Sequence, residues 1–131
     1  MLSQLSLKTN SHSELVDITS LLRETVTNSK VRDGICYVFV PHTTAGLTIT
    51  ENTDSNVKRD LLMKLNKVID WNDKDYHHSE GNSAAHIKAA MVGFSLTVFI
   101  RNGQLLIGTW QNIYFAEFDG PRPRKVWVKI I

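Results

Sequence analysis

Hydrophobic positions along the chain recur with two different periods, and these periods predict a mixture of strands and helices. Alternation of apolar and polar residues, or a short unbroken run of β-branched and aromatic residues, is typical of strands. Such patterns predict strands over residues 3–8, 34–40, 46–52, 94–100, 104–109, 112–118 and 125–131. Arg101-Asn102-Gly103 separates two of these strands, and the Asn-Gly pair predicts a tight hairpin there.

Apolar residues spaced three and four positions apart predict two main helices and a short one. The segment Glu14–Asp17 is expected to lead into the first helix, with Asp17 as its N-cap, and residues 28–30 end it. Asp54 is the expected cap of the second helix, which runs to about Ile69. The residues expected to face inward from the second helix are Val57, Leu61, Leu62, Leu65 and Val68. The short helix begins at Asn82 or Ser83 after a polar loop of residues 71–81.

These elements favour an α+β fold with a largely antiparallel sheet. The strand-rich second half disfavours a doubly wound architecture. A chain of 131 residues corresponds to one domain over residues 1–131. The single Cys36 cannot form an internal disulfide, and it lies in an apolar run that predicts a buried packing residue. The N-terminal residues lack a signal-peptide pattern, so we expect a cytoplasmic protein.

Charge excludes one large class of function and leaves others open. Fifteen Lys and Arg residues against thirteen Asp and Glu residues leave a net charge of +2. A nucleic-acid-binding domain normally shows a concentrated basic face, so we expect no nucleic acid as partner. No apolar run approaches the roughly 18–20 residues that span a bilayer, so we expect no membrane insertion.

Three histidines are candidates for chemistry: His42 after a strand, His78 in the long loop and His86 in the short helix. Three imidazoles with an open fourth position are typical of a catalytic zinc site. Ordinary surface or capping roles are the alternative, because no defined motif fixes the spacing. His77 points away from His78 if the segment is extended, and His12 has no evident role.

Other polar residues near these histidines allow both a functional and a structural interpretation. The carboxylates near these histidines are Glu51, Glu80, Glu117 and Asp119, and of these Glu51 and Glu80 are candidate general bases or partners that orient an imidazole. The negative charge of Glu80 can instead stabilise the N-terminus of the short helix. Asn52 can form an Asx turn rather than contact substrate.

The segment from Gly108 to Arg124 is dense in aromatic and polar residues. Trp110 can stack on a planar ligand or fill the core. Arg122 and Arg124 can bind phosphate or carboxylate, or they can form a solvated tip.

Three blocks of this sequence resemble the YjbQ-like family. Residues 42–52, HTTAGLTITEN, are similar to the family's HTTAGLTINEN signature. Residues 76–89, YHHSEGNSAAHIKA, resemble its second block, and residues 108–122 resemble its third. Thr50 stands where Asn is common and Asn112 where Gly or Gln is common, and both departures leave the histidines untouched.

The resemblance implies an α+β fold that assembles as a homotrimer. It also implies a weak thiamine-phosphate synthase activity, in which a phosphorylated thiazole joins a pyrimidine pyrophosphate and pyrophosphate leaves. His42, His78 and His86 then correspond to the family's motif histidines, which gather around a bound metal or anion.

Two functions follow from this reading. The first is an enzyme acting on small phosphorylated substrates with a divalent transition metal, zinc above all, held by His42, His78 and His86. Its expected catalytic residues are Glu51, Asn52 and Glu80. Its expected substrate-binding residues are Thr43, Thr44, Lys88, Trp110, Gln111 and Arg122. The second is a non-catalytic trimeric protein that binds a metal or a metabolite and has only incidental synthase activity.

Overall fold

The computed structural model describes residues 1–131 and contains two antiparallel sheets. The strands are β1 (Leu2–Lys8), β2 (Glu14–Asp17), β3 (Asp33–Phe39), β4 (Ala45–Glu51), β5 (Ser95–Arg101), β6 (Gln104–Leu105), β7 (Gln111–Glu117) and β8 (Pro123–Ile130). The helices are α1 (Thr19–Ser29), α2 (Ser55–Val68) and α3 (Ser83–Val92). One sheet has the order β1-β8-β3-β5-β6 and the other the order β2-β7-β4.

The main hydrophobic core takes side chains from both sheets and from α1. Its members include Val38 on β3, Val128 on β8, Leu47 on β4 and Leu22 on α1, all of them almost completely buried. Helix α1 contacts strands of both sheets, so it joins the two halves of the core.

Strand β7 is covered on both of its faces, which explains its unbroken apolar run. Ile113 and Phe115 point into the main core, whereas Ala116 belongs to a second cluster with Ala85 and Ala89 of α3. Successive side chains of a strand point to opposite faces. The smaller sheet therefore lies between the main core and the outer helices.

Two of the connections that carry the chain from one sheet to the other meet at one end of the molecule. One joins β3 to β4, and the other joins β7 to β8. The backbone N–H of Phe118, just after β7, donates to the carbonyl of Thr44, just before β4, at 3.2 Å. Polar residues of both connections are therefore brought to one end of the molecule.

Most of the predicted elements are confirmed. The side chain of Asp54 accepts a hydrogen bond from the Asn56 N–H at 2.9 Å and so caps α2 as expected. Asn102 and Gly103 have φ values of 54° and 76°, as the hairpin requires. None of the three helices is long and apolar enough to cross a membrane.

Four expectations are corrected. Glu14–Asp17 forms strand β2, which pairs with β7, rather than leading into the helix. Its local pattern is weak, so pairing with β7 determines its conformation. Helix α1 is therefore capped one residue later, at Ile18, although the Asp17 carboxylate still accepts the Thr19 N–H. Val68 is 65% exposed rather than inward, and β6 spans only Gln104–Leu105.

The close approach of α3 to β4 generates a prediction about Gly46. A Cβ at this position would lie 2.4 Å from the backbone carbonyl oxygen of Gly93, which also accepts the Leu47 N–H. We expect Gly46→Ala to lower the free energy of unfolding by about 1–3 kcal/mol, because backbone atoms must shift. Urea denaturation measures this change.

Gly108→Ala is the matched control, since its Cβ would meet only the flexible side chain of Gln111. We expect that variant to stay within about 0.5 kcal/mol of the parent. Equal unfolding midpoints for the two variants would contradict the packing role of Gly46.

Candidate functional site

A cleft of about 690 Å³ opens where the β3–β4 and β7–β8 connections meet. Three segments supply its polar walls: the β3–β4 connection, the loop and first turn of α3, and the β7–β8 connection. Its lining residues are Phe39, Val40, Pro41, His42, Thr43, Thr44, His78, Glu80, Asn82, His86, Phe94, Arg122 and Arg124. The structure thus brings together all three predicted histidines with Thr43, Thr44, Glu80 and Arg122.

His42 is held in its neutral form with a defined tautomer. The backbone N–H of Lys125 donates to His42 Nε2 at 2.9 Å, so Nε2 carries a lone pair and the proton is on Nδ1. Burial lowers the pKa of His42, and the positive charge of Arg124 lowers it further. The ring therefore offers the cleft an N–H donor.

The geometry of the histidines does not fit the expected three-imidazole metal site. His42 cannot accept the Lys125 N–H at Nε2 and ligate a metal through Nδ1 unless its ring loses both protons. The rings of His78 and His86 stand edge to face, with centroids 5.3 Å apart. No three His, Cys, Asp or Glu side chains are close enough to hold one ion. Zinc at these residues remains a prediction that a metal analysis can test.

A buried ion pair forms the floor of the cleft. Arg124 and Glu117 are 3% and 0% exposed, and Arg124 holds the carboxylate with two N–H groups: Nε donates to Oε2 at 2.7 Å and Nη2 to Oε1. Thr9 Oγ1 and the Asp119 N–H donate to the same carboxylate at 2.8 and 2.9 Å. Burial raises the pKa of Glu117, but these hydrogen bonds outweigh it and leave the pKa below its usual value.

Arg124 also reaches across to the other connection. Its Nη2 donates to Thr44 Oγ1 at 2.8 Å, which ties β8 to the segment that carries His42. Nη1 has no hydrogen-bond partner within the chain, although the residue lines the cleft. One edge of this buried guanidinium is therefore free to bind a ligand.

Asp119 organises the rim of the cleft. It accepts hydrogen bonds from Arg122 Nη2 at 3.0 Å and from Asn82 Nδ2 at 2.9 Å. Asn82 Oδ1 is buried and has no hydrogen-bond partner. A flipped amide would set Oδ1 against the Asp119 carboxylate, so the unpartnered atom is an acceptor. A buried acceptor of this kind indicates a missing donor, either water or a ligand group.

Four predicted site residues lie at the opposite end of strand β4. Glu51 and Asn52 are about 20 Å from the cleft, given the rise of an extended strand. Glu51 accepts the Asp54 N–H at 3.1 Å, and Asn52 Nδ2 donates to the Thr109 carbonyl at 3.0 Å. Gln111 accepts the Gly108 N–H, and Trp110 is 63% exposed. Within one chain, the three polar residues form local structure rather than the histidine cleft.

Lys88 does not line this cleft either. It is 2% exposed and donates to Asn66 Oδ1 at 2.5 Å, on the side of α3 that faces a different depression. Cys36 is buried in the core, and burial raises the pKa of its thiol to about 11. A thiol with so high a pKa is a packing residue, as the apolar run indicates.

Asn82 is the site residue that sequence reasoning treated only as a helix cap. Its position inside the second family block, between Glu80 and His86, was the available signal. The sequence offers Arg122 and Arg124 alike as possible anion-binding residues. The structure shows that Arg124 is buried and Arg122 is not.

The fold and the cleft define a small α+β protein with two antiparallel sheets. Its polar site lies where the β3–β4 and β7–β8 connections between these sheets meet. The family model described as UPF0047 protein YjbQ-like matches residues 3–131. The chain belongs to this family. A UPF0047 protein of Methanocaldococcus jannaschii is 53% identical over 100% of this chain and 94% of its own length. UPF0047 protein YugU of Bacillus subtilis is 44% identical over 100% of this chain and 99% of its own.

Solved structures of related proteins share the fold. An uncharacterized conserved protein of the YjbQ/UPF0047 family from Clostridium acetobutylicum superimposes with a TM-score of 0.96 at 55% identity, covering 98% of this chain and 99% of that chain. A YbjQ-like protein of unknown function from Sulfolobus solfataricus gives 0.93 at 32% identity, covering 99% and 95%. These names state a family and no activity.

The ion pair generates a prediction about stability. We expect Glu117→Gln to lower the free energy of unfolding by about 3–5 kcal/mol at neutral pH, because Arg124 is then left buried without a counter-charge. The pKa of Glu117 is lower in the folded protein than in the unfolded chain. The ionised carboxylate therefore stabilises the fold at pH values above its unfolded-state pKa, and this stabilisation is lost as the pH falls through the folded-state pKa. The difference between the two proteins should therefore shrink below about pH 4.

Urea unfolding of both proteins over a pH series measures this effect. Arg124→Met combined with Glu117→Leu is the control, and we expect it to recover part of the loss because no charge is left unpaired. A difference that does not change with pH would contradict the assignment.

Proposed function

We propose that the cleft binds the phosphate group of a small phosphorylated molecule directly, through N–H groups of the protein. The observation that carries this proposal is the set of free donors on one surface. His42 Nδ1–H, Arg124 Nη1 and Arg122 Nη1 have no partner within the chain, and all three residues line the cleft. Guanidinium groups match phosphate oxygens in geometry as well as charge.

The remainder of the ligand is expected to carry a hydrogen-bond donor. Asn82 Oδ1 is a buried, unpartnered acceptor on the same cleft, and the exposed carboxylate of Glu80 lies at its rim. A hydroxyl or amino group would satisfy Asn82. The volume of about 690 Å³ is in the range of small-molecule sites rather than of a single inorganic ion.

His78 and His86 are the groups that we expect to move a proton in this cleft, and the Glu80 carboxylate at its rim is a further candidate. The two histidines lie in contact with each other beside the phosphate donors, and general acid–base catalysis requires a titratable group within reach of the reacting atoms. We therefore assign proton transfer to these histidines and not to Glu51, which lies at the far end of β4. A binding protein without turnover is the alternative use of the same cleft.

The thiamine-phosphate synthase reaction falls within this class of chemistry. In that reaction the thiazole nitrogen forms a C–N bond to the pyrimidine methylene carbon, the C–O bond to pyrophosphate breaks, and pyrophosphate leaves with the electron pair. Both substrates carry phosphate, and the leaving group needs N–H donors. Turnover of this pair that is lost in His78→Ala and His86→Ala would support the enzyme, whereas binding without turnover supports the metabolite-binding protein.

Phosphate binding gives a direct prediction. We expect pyrophosphate to bind His42→Phe about tenfold or more weakly than the parent, because one donor to a charged group is lost. Isothermal titration calorimetry measures the change. His77→Phe is the control, since His77 is exposed in the loop that carries His78 and does not line the cleft, and the affinity of this variant for pyrophosphate should be unchanged.

Metal content must be measured on the same samples, purified without a nickel column. We expect substoichiometric metal in the parent and in His86→Ala. About one equivalent of zinc per chain, lost in His86→Ala, would contradict direct phosphate binding and support the three-histidine metal site. Equal pyrophosphate affinity in His42→Phe and the parent would also contradict the proposal.

We further propose that the protein forms a homotrimer through the outer face of its larger sheet. Leu2, Tyr37, Phe39 and Trp127 line a shallow, largely apolar groove on that face together with Lys129, and the first three are 60%, 41% and 49% exposed. Contiguous exposed apolar surface of this kind marks an interaction site. Phe39 also lines the cleft, so a neighbouring subunit would border the site. The number three follows from the family resemblance.

Sedimentation analysis tests the assembly. We expect the parent to sediment as a trimer at micromolar concentration and Tyr37→Lys to shift toward the monomer, because a charge is placed in the apolar groove. Val68→Lys is the control, as it alters an exposed apolar residue on α2, away from the groove. A monomeric parent, or an unchanged Tyr37→Lys, would overturn the proposed interface.

A further inference from the structure

A second depression, of about 300 Å³, lies on the other side of α3 from the histidine cleft. Its lining residues are His12, Ser13, Asn66, Trp71 and Lys88. They come from the β1–β2 connection, the last turn of α2, the loop after α2, and α3. None of them takes part in the phosphate site proposed above.

Lys88 makes this depression unusual. Its side chain is almost completely buried, and its Nζ has a single partner, the neutral amide oxygen of Asn66 at 2.5 Å. Lys88 forms no ion pair within the chain, whereas the other buried cation, Arg124, has Glu117 as its counter-ion. Burial lowers the pKa of Lys88. A buried ammonium without a counter-ion is unfavourable, and an anionic ligand would relieve this.

Aromatic groups form the wall next to Lys88. The rings of His12 and Trp71 are in edge-to-face contact, with centroids 4.5 Å apart, and His12 Nε2 lies 3.6 Å from Asp119 Oδ1. Trp71 packs partly against the α3 cluster, so its indole is held in place. The half-buried indole offers a flat apolar surface against which an aromatic ring can pack, and the ammonium of Lys88 supplies the charge that a carboxylate on that ring would bind.

We propose that this depression is a binding site for a small planar molecule bearing a carboxylate, with the carboxylate on Lys88 Nζ and the ring against Trp71. The volume suits a single ring. A carboxylate supplies the counter-charge that Lys88 lacks and leaves Asn66 as a second polar contact. A phosphate group shares the charge but is bulkier, and the histidine cleft has more donors for it.

Nicotinate and nicotinamide are suitable probes, because they share one ring and differ in the charge of one substituent. We expect nicotinate to bind the full-length protein and nicotinamide to bind at least about tenfold more weakly, as a charged hydrogen bond is lost. In Lys88→Met we expect the affinity for nicotinate to fall to the affinity for nicotinamide. His42→Phe should leave nicotinate binding unchanged, which distinguishes this site from the phosphate cleft.

A measurement on the unaltered protein covers the case in which Lys88→Met does not fold. Nitrogen-15 NMR resolves the indole N–H signals of the three tryptophans, and nicotinate should shift that of Trp71 but not those of Trp110 and Trp127. Equal affinity for the two probes, no nicotinate binding at millimolar concentration, or a shift confined to Trp110 or Trp127 would overturn the proposal. Failure of pyrophosphate binding would leave this result unaffected, so the two proposals fail separately.

Discussion

The ion pair between Arg124 and Glu117 holds the site together. Its two residues lie at the end of β7 and the start of β8, and its hydrogen bonds reach Thr9 after β1 and Thr44 before β4. Removing two charges from water is unfavourable unless every donor and acceptor is satisfied. Glu117 meets that condition with four donors, two from Arg124 and one each from Thr9 and the Asp119 N–H. The cleft therefore has a floor ordered before any ligand arrives, which reduces the entropy lost on binding.

The phosphate recognition that we propose for this cleft relies on directed donors more than on net charge. Glu117 neutralises Arg124, Asp119 offsets Arg122, and His42 is neutral. The whole chain carries only +2, so long-range attraction of anions is weak. Selectivity then follows from where the remaining N–H groups point. This arrangement suits a ligand whose phosphate oxygens are fixed in space, and it differs from the broad basic faces of nucleic-acid-binding domains.

Local patterns predicted most elements, and long-range pairing accounts for what they missed. The cap at Asp54 and the Asn102-Gly103 hairpin are set by a few neighbouring residues, so the sequence is enough to place them. Strand β2 exists because β7 lies beside it, and the division into two sheets depends on contacts far apart in sequence. The same limit applies to the site. The residue type alone predicts the three histidines as candidates. No local signal shows that Glu51 lies at the far end of the strand that begins beside them, or that Lys88 faces away from the histidine cleft.

The close contact between Gly46 and Gly93 shows that part of the motif beginning at His42 serves the fold rather than the cleft. The motif that begins at His42 has parts with separate duties: its first residues line the cleft, Gly46 admits the end of α3, and Glu51 with Asn52 anchors the start of α2. A variant that exchanged His42 while keeping Gly46 and the anchor would lose the acceptor of the Lys125 N–H, yet it would keep the contacts that position α3 and α2 and would still match most of the motif. The motif therefore constrains the scaffold more strongly than it constrains the ligand of the cleft.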